Sequence, residues 1–214
     1  VCVLLSGGLD SSAITALAAR DLGTPVRTFS VEFTGQAENF TPSDTHPTLD
    51  TPYIQDVAQH VGSEHTDIVI DHRQLSDPAI RRKVVAALDL PNGGGEQDAS
   101  LYLLFKAIRE QSTVALSGEA SDEIFGGYRQ FHDPGVQWAD AFPWIAIGAS
   151  WTDPSGYILT PELRASLDLK TYLQDRYVDA VAEVERLADE DDFTHRMRVM
   201  SYLHLTRFVR ILLD

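Results

Sequence analysis

Residues 1–12 read VCVLLSGGLDSS, an apolar run from Val1 to Leu5 that turns at once into Ser6-Gly7-Gly8-Leu9-Asp10-Ser11-Ser12. A continuous apolar run bounded by turn residues fits a strand buried on both faces of a parallel sheet. From Asp10 to Leu22 the pattern becomes helical, with Ile14, Ala18 and Leu22 on one stripe beside Ala13 and Leu17, and Gly23 and Pro25 end it. Strand, glycine-rich turn and helix, in that order, bring backbone N–H groups to an anion at the positive end of a helix. The plain alternative is a strand-turn-helix junction with Asp10 as N-cap, but capping needs one polar residue and this turn has four. The turn lacks both GK[ST] and the third spaced glycine of GxGxxG, so a different nucleotide geometry is indicated.

Working outward, Val26 to Phe33, Glu64 to Ile70 and Thr113 to Leu116 read as further strands. Between them lie helical patterns from about Pro52 to Val61, Arg73 to Leu88 and Asp98 to Glu110, a polar loop from Thr34 to Thr51, and a break at Pro91-Asn92-Gly93-Gly94-Gly95. Strands alternating with helices predict an α/β fold with a parallel, doubly wound sheet. After about Tyr128 no strand is predicted. Thr171 to Ala188 carries Leu173, Tyr177, Val181, Val184 and Ala188 on one face, and Phe193 to Leu213 reads as another long helix. The expected organisation is a nucleotide-binding α/β core over residues 1–130 and a mainly helical continuation over 131–214.

Composition narrows the function. The chain has 214 residues, enough for one sizeable domain, and 17 Lys+Arg against 32 Asp+Glu leave a net charge of −15. Such a charge repels nucleic acid and anionic membrane, which excludes both as main partners. No stretch approaches the ~20 apolar residues of a membrane span, and no leader pattern is present, so the cytoplasm is the expected compartment. A phosphate ligand must then be held by backbone N–H groups, a helix N-terminus or a metal ion. Asp10 beside a phosphate requires a cation between them, which points to Mg²⁺, a hard ion that takes carboxylate and phosphate oxygens together. The one cysteine, Cys2, reads as a small buried hydrophobe on the first strand.

A second motif, Leu116-Ser117-Gly118-Glu119-Ala120-Ser121-Asp122-Glu123-Ile124-Phe125-Gly126-Gly127-Tyr128, directly follows the fourth strand. As another strand-end loop it reaches the same crevice as the first. Asp122 with Asp10 makes a two-carboxylate Mg²⁺ site, leaving Glu119 for the substrate or for proton transfer. A capped short helix, with Ser121 as N-cap and Gly126-Gly127 as terminator, accounts for part of this stretch but not for Ser117-Gly118-Glu119.

With SGGLDSS and LSGEASDEIFGGY about a hundred residues apart, the chain resembles the synthetase domain of the asparagine synthetase family, among the PP-loop (HUP-like) ATP pyrophosphatases. The resemblance implies that Ser6, Gly7, Gly8, Asp10, Ser11 and Ser12 hold the ATP pyrophosphate and Mg²⁺, and that Leu4 and Val31 flank the adenine. It also implies that Ser117 and Gly118 approach the ribose and α-phosphate, that Glu119 meets the acceptor carboxylate, that Asp122 takes the second side of Mg²⁺, and that Tyr128 lies at the reaction centre. The implied chemistry is attack of a carboxylate on the α-phosphorus, giving an acyl-adenylate and pyrophosphate, followed by attack of an amine. The implied product is asparagine, made from aspartate and ammonia from glutamine by an amidotransferase. β-Lactam synthetases, lasso-peptide cyclases and a non-catalytic ATP-binding regulatory domain are the alternatives.

The resemblance also implies a glutaminase domain before Val1, a lysine-bearing segment beyond Asp214 and a homodimer, so the chain is expected to be part of a longer polypeptide. Two positions depart from the family pattern. Ala120 stands where SGEGSDE has its second glycine, and Gly95-Glu96-Gln97-Asp98-Ala99-Ser100-Leu101 lacks the arginine of the family's aspartate-binding Arg-Ala-Ser-Thr stretch. His46, His60, His65 and His72 show no metal-ligand spacing, Trp138, Trp144 and Trp151 read as packing residues, and Arg196, Arg198, Arg207 and Arg210 as a mixed helix face.

Overall fold

The computed structural model describes residues 1–43, 47–89, 96–148 and 159–213, in two compact units, Val1–Gly118 and Glu119–Asp214. The break expected at 91–95, His46 and Trp151 lie outside the described residues.

The first unit is the α/β fold read from the sequence. Strand β1 (Cys2–Leu4) leads through the glycine turn into α1 (Leu9–Leu22), which Gly23 ends in the left-handed conformation at φ 63°. Then follow β2 (Arg27–Phe33), α2 (Thr51–Val61), β3 (Glu64–Ile70), α3 (Pro78–Leu88), α4 (Glu96–Arg109) and β4 (Ala115–Leu116). All pairings are parallel and the order is β3-β2-β1-β4. The register pairs Leu4 with Phe29 and Val3 with both Thr28 and Leu116.

Side-chain alternation sends the strands to two cores. Cys2, Phe29, Leu104 and Ile108 pack on the α4 face, whereas Val3 packs with Ala18 of α1, and Leu5 with Ile54 and Ala58 of α2. Helices on both faces explain why β1 is apolar throughout. Each fully buried aliphatic side chain of this kind contributes about 1.5–3 kcal/mol. Cys2 is buried and unpaired, as its surroundings in the sequence suggested. The inner polar residues Thr28 and Ser30 are satisfied by β3: Thr28 meets His65 Nδ1 at 2.9 Å, and Ser30 donates to Asp67 at 2.6 Å. Burial pushes the Asp67 carboxyl up, but the hydrogen bonds from Ser30 and His65 outweigh it and hold the carboxyl below its usual range.

One helix differs from the sequence reading. The pattern over Arg73–Leu88 is two pieces, a single turn at His72–Leu75 and α3, because Asp77 caps the Ala79 N–H and Pro78 occupies the first helical position.

The second unit is helical, with no strand among its described residues. Its principal elements are α5 (Ser121–Phe125), α6 (Leu169–Ala182) and α7 (Asp192–Leu203), the last running into a π-helical turn, His204–Phe208. α6 is shorter than the predicted Thr171–Ala188, and the π-turn interrupts the helix predicted over Phe193–Leu213. Phe142, Tyr177, Ala180, Val199 and Leu203 form its core, with Trp144 packed against them. Arg196 donates to the carbonyls of Gln137 and Ala139 and to the Tyr177 hydroxyl, so it ties this core together from within. Arg198 pairs with Glu190 and Arg207 with Glu183 on a mixed face, whereas Arg196, expected on the same solvated face, is turned toward the core. No described helix is long and apolar enough to cross a membrane.

Candidate functional site

In the order β3-β2-β1-β4, chain connectivity reverses between β1 and β4, and ligands of open α/β sheets bind beyond the C-terminal strand ends at that point. The SGGLDSS turn follows β1, and Ser117-Gly118 follows β4. The structure brings them together: a Cβ on Gly118 would lie 3.0 Å from Asp10 Cβ and 3.3 Å from the Ser11 nitrogen.

Gly8, not Asp10, is the N-cap of α1, and no side chain caps it. Asp10 lies in the first helical turn, so the capping alternative fails and no N-cap side chain takes up the N–H groups at this end. Together with the helix dipole these groups suit an anion. Ser11 is buried and shapes the turn: its hydroxyl accepts from the Ser6 N–H at 3.1 Å and donates to the Gly8 carbonyl at 3.2 Å. The Ser6 hydroxyl lies 2.9 Å from it, and Ser12 bonds through its own N–H to the Gly8 carbonyl at 3.1 Å. Gly7 has φ 75°, and a Cβ there would run into the start of α2, where Asp50, Tyr53 and Ile54 sit.

Beside the turn is a cavity of about 170 Å³ lined by Leu4, Ser6, Val31, Glu32, Thr51 and Leu104, among others. It is smaller than the roughly 300–1,000 Å³ of drug-sized sites and suits one flat ring rather than a whole nucleotide. Leu4 and Val31, the two positions expected to flank a base, both line it. Glu32 and Thr51, hydrogen-bonded at 2.7 Å, were not singled out from the sequence. The helix-start signal at Asp50-Thr51-Pro52 was the available clue to the second of them.

In the second unit the motif folds as a left-handed residue, Ala120 at φ 72°, then α5, then Gly126 at φ 70°. Ala120 is the cap position, so Ser121 is not the N-cap that the sequence suggested. A left-handed alanine costs about 1–2 kcal/mol. Ala120→Gly is therefore expected to stabilise this unit by about 0.5–1 kcal/mol, visible as a raised midpoint in thermal or urea unfolding.

Partial burial, followed by the charges of Glu123 and Asp122, raises the Glu119 carboxyl above its ordinary range. Glu123 is fully buried and accepts the Tyr128 hydroxyl at 3.0 Å. Burial, the hydrogen bond to Glu123 and the neighbouring carboxylates hold the Tyr128 phenol protonated well above the usual range. The other Glu123 oxygen and Nε2 of His204 are buried without hydrogen-bond partners, an arrangement that costs ~1–3 kcal/mol for each such group. Among the described residues no group of three or more His, Cys, Asp or Glu side chains is assembled as a metal site.

A parallel sheet covered on both faces, with glycine turns at its switch point, defines an α/β protein of the doubly wound class. The chain matches the asparagine synthase family over residues 1–214 and belongs to that family. It is 35% identical to asparagine synthetase [glutamine-hydrolyzing] 3 of Bacillus subtilis over all of this chain and 34% of that protein. It is also 35% identical to asparagine synthetase B of Escherichia coli over 61% of this chain and 24% of that protein. The chain thus spans about a third or less of the length of these curated relatives. Among solved structures, NMN synthetase from Francisella tularensis aligns with TM-score 0.36 and 16% identity, over 59% of this chain and 48% of that one.

Proposed function

We propose that this chain is the adenylating part of an ATP-dependent carbon–nitrogen ligase that makes asparagine from aspartate, with ammonia derived from glutamine. The observation that carries the reading is the uncapped N-terminus of α1 behind a glycine turn, at the switch point of a parallel sheet. Its N–H groups fit a pyrophosphate in a protein whose net charge of −15 offers no general positive field.

In this reading Ser6, Gly7, Gly8, Asp10, Ser11 and Ser12 hold the pyrophosphate of ATP. Ser11 acts by fixing the turn, while Leu4 and Val31 flank the adenine in the adjoining cavity. Ser117 and Gly118 approach the ribose and α-phosphate. Asp10 and Asp122 are the oxygen donors for Mg²⁺, which would neutralise phosphate charge. Glu119, with its raised carboxyl, meets the acceptor or takes a proton, and Tyr128, whose hydroxyl hydrogen is given to Glu123, presents its phenol oxygen as an acceptor at the reaction centre. A carboxylate oxygen then bonds to the α-phosphorus as the α–β bridging bond breaks, and an amine displaces AMP from the acyl carbon. Positioning and charge neutralisation are the protein's share of this chemistry.

The absence of arginine from residues 95–101 favours a second reading, in which the acceptor is a carboxylate other than aspartate. Aspartate-dependent ATP–pyrophosphate exchange by the full-length protein supports the first reading. Exchange with another carboxylate alone supports the second, and MgATP binding without exchange for any carboxylate would leave a nucleotide-binding module. Asp10→Asn and Asp122→Asn are each expected to weaken Mg²⁺-dependent ATP binding by about tenfold or more in isothermal titration. Binding equal to the parent's in both variants would remove the proposed Mg²⁺ ligands.

A further inference from the structure

Among the described residues of the second unit His204 and Glu123 are the two fully buried titratable groups, and the chemistry proposed above uses neither. His204 begins the π-turn, more than seventy residues from the SGEASDE motif, and a π-turn widens a helix locally and is often kept at functional positions. Its Nδ1 lies 2.8 Å from the Met200 carbonyl. A carbonyl only accepts, so Nδ1 carries the hydrogen and the ring is locked about its χ angles. The locked ring lies against Tyr128, with centroids 5.7 Å apart and planes inclined at 29°. Phe208, at the other end of the same π-turn, meets Tyr128 edge-on at 5.8 Å. The phenol oxygen is fixed independently, by donation to the buried Oε1 of Glu123.

Tyr128 is thus held at its face and its hydroxyl by the fully buried His204 and Glu123, and at its edge by the half-buried Phe208. Packing alone does not call for this arrangement. A leucine at 123 and a phenylalanine at 204 would fill similar space without leaving two buried polar atoms unpartnered. The polar pair is explained if the orientation of Tyr128 is what it secures.

We propose that His204, through its ring locked on the Met200 carbonyl, and Glu123, through its bond to the phenol, are positioning residues that hold Tyr128 in one orientation for the ligase reaction. The catalytic meaning of this orientation rests on the function proposed above, but the orientation itself does not.

The test uses the full-length protein with 3-fluorotyrosine placed at position 128. The parent is expected to give one narrow ¹⁹F line. His204→Phe keeps the ring face and loses the lock. It is expected to keep Tm near the parent's, to broaden or split the line, and to lower kcat of pyrophosphate exchange on the order of tenfold or more with little change in KM for ATP. Glu123→Leu should produce the same pattern, and the double variant should be no worse than either single one. A narrow, unshifted line and parental kcat in His204→Phe would reduce His204 to packing and overturn the proposal. Should the parent catalyse no exchange, the functional reading fails while the ¹⁹F line still decides the orientation. If His204→Phe does not fold, Glu123→Leu carries the same spectroscopic test with the same two outcomes.

Discussion

Gly7→Ala is expected to destabilise the first unit by about 2–5 kcal/mol and to abolish MgATP binding, the largest effect foreseen for any single methyl group in this chain. Two costs add at one position. Gly7 sits at φ 75°, where an L side chain costs about 1–2 kcal/mol. The new Cβ would also lie 2.9 Å from Tyr53 Cβ, 3.1 Å from the Ile54 nitrogen and 3.2 Å from the Asp50 carbonyl oxygen. These atoms belong to the first turn of α2, where Ile54 N–H is already bonded to the Asp50 carbonyl at 3.0 Å and the Ile54 side chain is buried. None is the movable tip of a side chain, so relief requires α2 to shift against Leu5, at an overpacking cost of about 1–3 kcal/mol. Gly8→Ala is the control. Gly8 has φ −72°, and its Cβ would meet only the Ser6 hydroxyl, at 3.5 Å. Thermal unfolding should separate the two variants by roughly 10 °C, and calorimetric titration with MgATP should show no binding for Gly7→Ala. Equal melting temperatures would mean that the turn is not tied to α2 as described.

The contrast between these neighbouring glycines bears on what the sequence could reveal. SGG marks a turn, and the apolar run before it marks a buried strand, so β1, α1 and the sheet class are legible from residues 1–22 alone. Glu64–Ile70 is equally plain, because its alternation is bounded by Gly62 on one side and the Asp71 cap on the other. Leu4 and Val31 were expected beside a base only through the family resemblance; Leu4 ends β1, whereas Val31 lies two residues inside the end of β2. Which glycine is constrained, and by what, depends on α2, whose start lies more than forty residues away. At Ala120 the one hint was the glycine that SGEGSDE has in its place, and the cap geometry of α5 shows that the position does take a positive φ. Glu123 was obscured for a different reason. An acidic residue in a short turn between other charges normally faces water, and its burial here follows from the ring of Tyr128 and its acceptor role toward that hydroxyl. His204 gave no signal because a histidine in a helical pattern does not reveal that the helix widens into a π-turn at that residue.

Gly127→Ala tests the second motif by the opposite kind of clash. Gly127 needs no positive φ, and its N–H is bonded to the Asp122 carbonyl at 3.0 Å in the turn that ends α5. A Cβ there would collide with Oδ1 of Asp122 and lie 2.9 Å from its Cγ. The obstacle is a carboxylate at the end of a short side chain, which can rotate away without moving backbone. The fold is therefore expected to survive, with a stability loss under ~1 kcal/mol, while Asp122 is forced out of its position. If Asp122 serves Mg²⁺, displacing it should act like a disturbed ligand set and weaken Mg²⁺-dependent ATP binding by about 10–100-fold. Two measurements on one variant decide this: an unfolding midpoint near the parent's, and a titration with ATP in the presence and absence of Mg²⁺. A loss seen equally without the metal would assign Asp122 to shaping the loop instead. Parental affinity in both conditions would remove Asp122 from the nucleotide site altogether. A loss confined to the Mg²⁺ condition, matching Asp122→Asn, would tie the glycine pair Gly126-Gly127 to the metal, with Gly127 leaving the space that the Asp122 carboxylate occupies.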